Sequence, residues 1–340
     1  MTYEEIIGEI TAGLTGDNKK DITYLKEQMD KYKEHELATE ILRACGRLLY
    51  EFIPDETKEE IVQAVDNNTS GIYAVLEEVR FNIFKKDFNK ALELIENLVK
   101  KTENYPMYQD DSVTEYFSFD EPFEYFMYVE GYKKEKEIKW IEYPFSAIYS
   151  QYGALLIDLK RYDEANKMLE KALRWNPMSS KIGYEYAETF KLLGQMDKYI
   201  EATRKAFSTA YTKKEVARGY RNWGYYFIEL EKYQAAIGCY LLSLQYDEES
   251  KNAQSEIYYI HQKTNGAIKP PKVKKFQKIA KREKIPMGID PYVLGIAATY
   301  GMRFLEEGQL NGARAMLEIL CELTDDDSLK KVLENLPKEE

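Results

Sequence analysis

Residues 146–179 read SAIYSQYGALLIDLKRYDEANKMLEKALRWNPMS, and this stretch decides the fold. Its first half places Tyr149, Tyr152, Gly153 and Leu156 at spacings of three and four, the stripe of a helix with one buried face. Lys160, Arg161 and Tyr162 form a turn. The second half repeats the stripe with Ala165, Met168, Leu169 and Ala172. It stops at Asn176 and Pro177, because proline cannot continue a helix and disfavours helical backbone in the residue before it. The stretch is therefore a helical hairpin, with Gly153 and Ala165 as the small residues that let its two helices cross closely.

The hairpin recurs. Thirty-four residues on, Ala187 stands in the place of Gly153, Gly194 in the turn and Ala206 in the place of Ala172, although Tyr199 replaces the expected small residue. A further step brings Gly224, Tyr233 and Ala236, with Trp223 before the glycine. Gly153, Tyr162, Ala165, Ala172 and Pro177 make this unit resemble a tetratricopeptide repeat, the 34-residue helical hairpin. The resemblance implies an all-α fold, a right-handed superhelical α-solenoid, with three contiguous repeats over residues 146–250.

Outward from these repeats the pattern weakens. Residues 1–70 read as helical and repeat-like. Thr2 and Glu5 have capping-box spacing, and a break at Gly13–Gly16 precedes helices over Asp21–Lys33 and Glu36–Phe52. After Pro54 a short helix carries Ile61, Val62 and Val65, and Asp66–Ser70 is a polar break. Residues 71–103 form a degenerate repeat with its turn at Lys86–Phe88 and Ala91 as a small residue. Residues 104–145 are an insertion crowded with aromatic side chains, among them Tyr105, Tyr108, Phe117, Phe119, Phe123 and Tyr128. In it Asp120–Pro122 starts a short helix to about Gly131, and Glu137–Tyr143 alternates like a strand. The insertion either covers an apolar groove or lines a ligand site as a lid.

Residues 251–289 begin with a helix over Asn252–Lys263, but Asn265–Pro271 cuts off its normal partner. Lys272–Lys284 then holds six lysines and one arginine against one glutamate, with Val273, Phe276, Ile279 and Ala280 as an apolar stripe. That pattern is an amphipathic helix with a basic outer face, which is either simply solvated or a patch for an acidic partner. Residues 290–340 return to the repeat through Gly301, Gly308, Ala313, Leu317 and Leu320. A final helix over Ser328–Leu336 covers the last exposed face.

Composition excludes several classes. The 340 residues carry a net charge of −11, which argues against nucleic acid as the main partner. Neither a signal peptide nor a membrane span is visible, so a cytoplasmic protein with no membrane partner is expected. Cys45, Cys239 and Cys321 sit in helical apolar patterns, as buried reduced thiols do. His35 and His261 stand far apart in no metal-ligand spacing, and no phosphate loop, nucleophile elbow or zinc helix occurs. No enzyme, cofactor or metal is expected.

The resemblance implies that first helices of successive repeats line a concave, tyrosine-rich groove. Its inward positions nominate Tyr184 and Glu188 from the second copy and Arg218, Arg221, Asn222 and Tyr225 from the third. The family's carboxylate clamp is not kept, since its places hold Ser150, Ala154, Glu185, Arg218 and Asn222. The expected function is a scaffold for a protein or peptide segment, with an acidic or carboxylate-bearing one as the complement of the arginines; the competing reading makes these arginines partners of nearby glutamates, with stability as their only role. The alternative is a peptide-sensing regulator whose array changes curvature on binding. Such regulators often carry an N-terminal DNA-binding element, whereas residues 1–66 are acidic and lack a basic recognition helix.

Overall fold

The structure, a computed structural model, describes residues 3–35, 37–52, 71–103, 108–131 and 136–337. The expected cap at Thr2, Tyr105, the short helix after Pro54 with Ile61, Val62 and Val65, and the break at 66–70 lie outside them.

Five helical hairpins share one turn. They are α4 (described over residues 71–84) with α5 (Phe88–Glu103), α7 (Phe145–Asp158) with α8 (Tyr162–Trp175), α9 (Ser180–Leu192) with α10 (Met196–Phe207), α11 (Lys213–Glu229) with α12 (Tyr233–Tyr246), and α15 (Pro291–Glu306) with α16 (Leu310–Thr324). At each turn one residue takes left-handed backbone: Lys86, Lys160, Gly194, Glu231 and Gly308. The next amide then reaches back to the carbonyl five residues earlier, Arg161 to Leu156 and Lys232 to Phe227 at 2.8 Å each, so the orphan carbonyls of the first helix are satisfied. Two of the five, Gly194 and Gly308, take this backbone at no side-chain cost, whereas Lys86, Lys160 and Glu231 accept the strain because the turn over-determines it.

The crossings repeat as well. A Cβ on Gly153 would meet Leu169, one on Gly224 would meet the Tyr240 ring and one on Gly301 would lie against Leu317, each partner 16 positions on. The small residue thus marks where the second helix lies across the first. Tyr258 occupies the corresponding place in α13 (Lys251–Lys263) and is 65% exposed, so no second helix closes onto α13 there. Pro270 and Pro271 follow, and α14 (Val273–Glu283) packs instead on α12, with the Phe276 ring filling the space that Gly238 leaves open.

On α14, Phe276, Ile279 and Ala280 are buried as expected, but Val273 is 74% exposed. It opens the helix before the apolar stripe meets α12. The lysines of the outer face are solvated. α17 (Asp327–Asn335) packs against α16 at the chain's end.

The N-terminal helices α1 (Tyr3–Ala12), α2 (Asn18–Tyr32) and α3 (Ala38–Glu51) bury their own cluster of Ile6, Ile10, Leu25, Ile41 and Cys45. Cys239 and Cys321 are also buried and free. No helix among the described residues is long and apolar enough to cross a membrane.

The insertion adds the only strands among the described residues. β1 (Thr114–Phe117) pairs in parallel with β2 (Glu137–Trp140), joined through α6 (Pro122–Gly131). Its aromatic side chains pack: Phe117, Phe119, Phe123 and Tyr128 join the core that also holds Tyr211, Trp223 and Tyr300. Phe126 stacks on Tyr300 at 4.1 Å, and the Ser118 amide donates to the Trp175 carbonyl at 2.9 Å. The insertion therefore ties the middle hairpins to the last one.

Candidate functional site

Successive first helices present one row of side chains each. On α9 the row is Glu185, Glu188 and Lys191; on α11 it is Arg218, Arg221, Asn222 and Tyr225; on α13 it is Asn252 and Glu256. These spacings of three and four put each row on one helix side. Tyr199 and Tyr240 reach in from the second helices, and together the residues line an open cavity of about 410 Å³.

Five of the six residues expected at a groove line this cavity: Glu188, Arg218, Arg221, Asn222 and Tyr225. Tyr184 does not. It is fully buried beneath Arg218, whose guanidinium lies 5.4 Å from its ring centroid. Its hydroxyl occupies the space beside Gly219, where a Cβ would lie 2.6 Å away. Tyr184 packs inside the fold and borders a neighbouring cavity of about 540 Å³ with Lys181, Lys214, Glu215 and Glu322. Arg218 and Arg221 line both cavities and so stand between them.

The arginines are already paired. Arg218 Nη1 donates to Glu185 Oε1 at 2.8 Å. Arg221 Nη1 donates to Asp247 Oδ2 at 3.0 Å and to the hydroxyls of Ser243 at 3.2 Å and Ser250 at 3.4 Å. Burial pulls the Arg221 guanidinium below its ordinary value, and Asp247 opposes that. Lys191 pairs with Glu188 and lies 4.9 Å from the Tyr225 ring centroid. Asn222 Nδ2 donates to Thr203 Oγ1 at 3.3 Å, and the Asn222 backbone carbonyl accepts from the Tyr199 hydroxyl at 3.3 Å. The expected acidic ligand therefore loses its main support, because both guanidiniums have carboxylates of their own.

The hydroxyls around the cavity resist ionisation. Burial raises Tyr199, Tyr225 and Tyr240, and nearby carboxylates raise each further. At neutral pH they are hydrogen-bond donors and acceptors attached to aromatic faces.

Lys191, Tyr199, Tyr240, Asn252 and Glu256 were not among the residues expected at the groove, and Glu185 stood only at a place of the lost clamp. The repeat register held the signal for some. Asn252 and Glu256 stand 34 positions after Arg218 and Asn222, and Tyr199 sits bulky where a small residue belongs. The broken hairpin after α13 hid the first two.

No described residue of the insertion lines either cavity. Met127 and Gly131 border a separate space of about 280 Å³ with Met178, Asp290 and Tyr292. The C-terminal hairpin closes the second cavity: Glu322 accepts the Lys213 amide at 3.1 Å, and Lys213 Nζ meets Asp325 at 2.8 Å.

The fold defines an α-solenoid of tetratricopeptide-like hairpins. No protein-family model and no curated protein matches the chain. Among solved structures it is similar to a tetratricopeptide repeat protein from Parabacteroides merdae, with TM-score 0.38, 11% identity, 98% of this chain and 97% of the other covered. It is also similar to a chain of the APC/C Cut9–Hcn1 hetero-tetramer, with TM-score 0.26, 9% identity, 99% and 69% covered. A third is the human IFIT1 dimer with m7Gppp-AAAA, with TM-score 0.29, 15% identity, 99% and 82% covered. At such low TM-scores the architecture rests on the chain's own recurring turns and crossings.

Proposed function

We propose that the chain is a non-enzymatic helical-repeat scaffold that holds a protein or peptide segment along α9, α11 and α13. The observation that carries this reading is the alignment of three successive first helices, each contributing polar side chains to one open cavity with three tyrosines at its wall. An extended segment needs such a series of donors, acceptors and ring faces, because its own backbone groups must be satisfied along its length. Tyr225, half-buried at the wall, supplies contact area at little entropic cost and keeps a polar handle, whereas Tyr199 and Tyr240 are 1% and 2% exposed and mainly shape the wall.

Phage-displayed peptides selected on the purified protein test the reading. Selected peptides should lose binding to Asn222→Trp, which fills the cavity, while its helical circular dichroism stays unchanged. Binding indifferent to that substitution removes the groove.

The regulator alternative has one observation in its favour. Glu322 both lines the cavity beside Arg218 and accepts the Lys213 amide, so an occupant there competes with the contact that closes the C-terminal hairpin. A peptide-induced change in radius of gyration by solution scattering supports it, and an unchanged radius with saturated binding removes it.

A further inference from the structure

Charge in the groove is balanced pair by pair until one group is left over. Arg218 has Glu185, Lys191 has Glu188 and Arg221 has Asp247. The Glu256 carboxylate, on α13, makes no side-chain hydrogen bond and no ion pair within 4.0 Å among the described residues, Lys191 acting on it only from further away. It faces the same cavity as Tyr225 and Tyr240. Its charge acts on both hydroxyls.

We propose that Glu256, at the cavity wall it shares with Tyr225, forms a subsite for a basic side chain, lysine or arginine, of the segment held in the groove. This rests on the groove reading above and names the residue class that the groove selects. A carboxylate with no ion pair attracts a cation, and the attraction is that of the charge: the Tyr225 ring already carries Lys191 at 4.9 Å and Tyr240 is buried. An acidic side chain would meet the opposite, an unpaired like charge, with every nearby cation already engaged. Burial raises the Glu256 carboxyl above its ordinary value, and Lys191 offsets this only in part. An arriving ammonium or guanidinium would relieve that cost, which an empty groove leaves in place. The cation of the ligand restores the balance that Asn252, the neutral residue one turn earlier, does not supply.

The competing account makes Glu256 a solvated helix residue with no role. The two separate cleanly because the Glu256 carboxylate has no hydrogen bond or ion pair to lose and its burial is a cost: Glu256→Gln should leave the melting temperature unchanged or slightly raised. The probe is a fluorescein-labelled positional-scanning library of heptapeptides, acetylated and amidated so that no terminal charge contributes. One position should favour lysine or arginine. Against Glu256→Gln the best basic peptide should weaken about tenfold and that preference should flatten, while Glu256→Lys should turn it toward aspartate and glutamate. Peptides that bind the groove, as judged by loss with Asn222→Trp, but show no basic preference or keep it in Glu256→Gln overturn the subsite and leave the scaffold standing. A library with no binder at all removes both.

Discussion

Leu169 packs its Cγ into the space that a Cβ on Gly153 would enter, 2.6 Å away, and this contact fixes how α7 and α8 cross. Gly153→Leu should therefore overfill the crossing and cost about 1 to 3 kcal/mol. Urea unfolding measures it. Gly295, on α15, has nothing within 4 Å of its Cβ position, so Gly295→Ala is the control and should be neutral or slightly stabilising through helix propensity. Equal midpoints for wild type and Gly153→Leu would contradict the register of the hairpins.

That register was the legible part of the fold. Gly153, Gly224 and Gly301 could be aligned by eye because a helix crossing tolerates few residues at its closest point. The turn residues seven positions later followed for the same reason. The parallel pairing of β1 with β2 was not legible, since four residues make no periodic signal and the partner lies beyond α6. That the arginines pair within the chain was an open alternative, but which carboxylates they meet was not legible. Glu185 and Asp247 reach Arg218 and Arg221 from other helices, and only the superposition of repeats brings them together. The same distance kept Glu256 apart from Tyr240, although its register with Asn222 was there to read.

A second prediction concerns pH. Glu124 is buried at the base of α6, where it accepts from the amides of Asp120 at 2.9 Å and Glu121 at 3.2 Å and from Asn176 Nδ2 at 2.8 Å. Burial pushes its carboxyl up to about 7, and Asp120 adds to the rise. Asp120 is itself held by Ser146 and Asn176, with Lys181 nearby, and Tyr211 faces the pair from the start of α11. A carboxyl raised in the fold binds a proton that the unfolded chain releases. Its stabilisation is full below the unfolded value near 4.5 and is lost as pH rises through about 7. Stability should thus be about 1 kcal/mol higher at pH 6 than at pH 8. Glu124→Gln should abolish the difference, and a difference that persists in that variant would assign it elsewhere.

A third prediction tests the segment after α14. The Tyr220 hydroxyl accepts the Gly288 amide at 2.8 Å and donates to the Pro286 carbonyl at 3.1 Å, pinning this stretch to α11. Tyr220→Phe leaves the ring and removes both bonds, at a cost of about 1 to 3 kcal/mol. The Gly288 amide should lose protection in hydrogen exchange, whereas the Lys232 amide in the turn after α11 should keep it. Unchanged protection at Gly288 would show that the hydroxyl does not hold the segment.

The last prediction separates the two arginines that stand between the cavities. The Arg218 side chain is 32% exposed and makes one ion pair with a similarly exposed Glu185, the kind of surface pair worth roughly 0 to 1 kcal/mol. The Arg221 side chain is 22% exposed and ties α11 to Asp247, Ser243 and Ser250, at the end of α12 and the start of α13. Removing it strands a half-buried carboxylate and the hydroxyl of the fully buried Ser243. Arg221→Ala should therefore cost about 1 to 3 kcal/mol and loosen α13 against α12, while Arg218→Ala should hardly move the melting temperature. Both should weaken groove binding, but by different routes: Arg218→Ala at full stability, through lost contact, and Arg221→Ala through the displaced row of Asn252 and Glu256. Titration of one selected peptide against each variant, below its unfolding range, distinguishes them. A stable Arg218→Ala that binds as tightly as wild type would leave that arginine only its pairing with Glu185, and would confine the groove to the side of Tyr225, Tyr240 and Glu256.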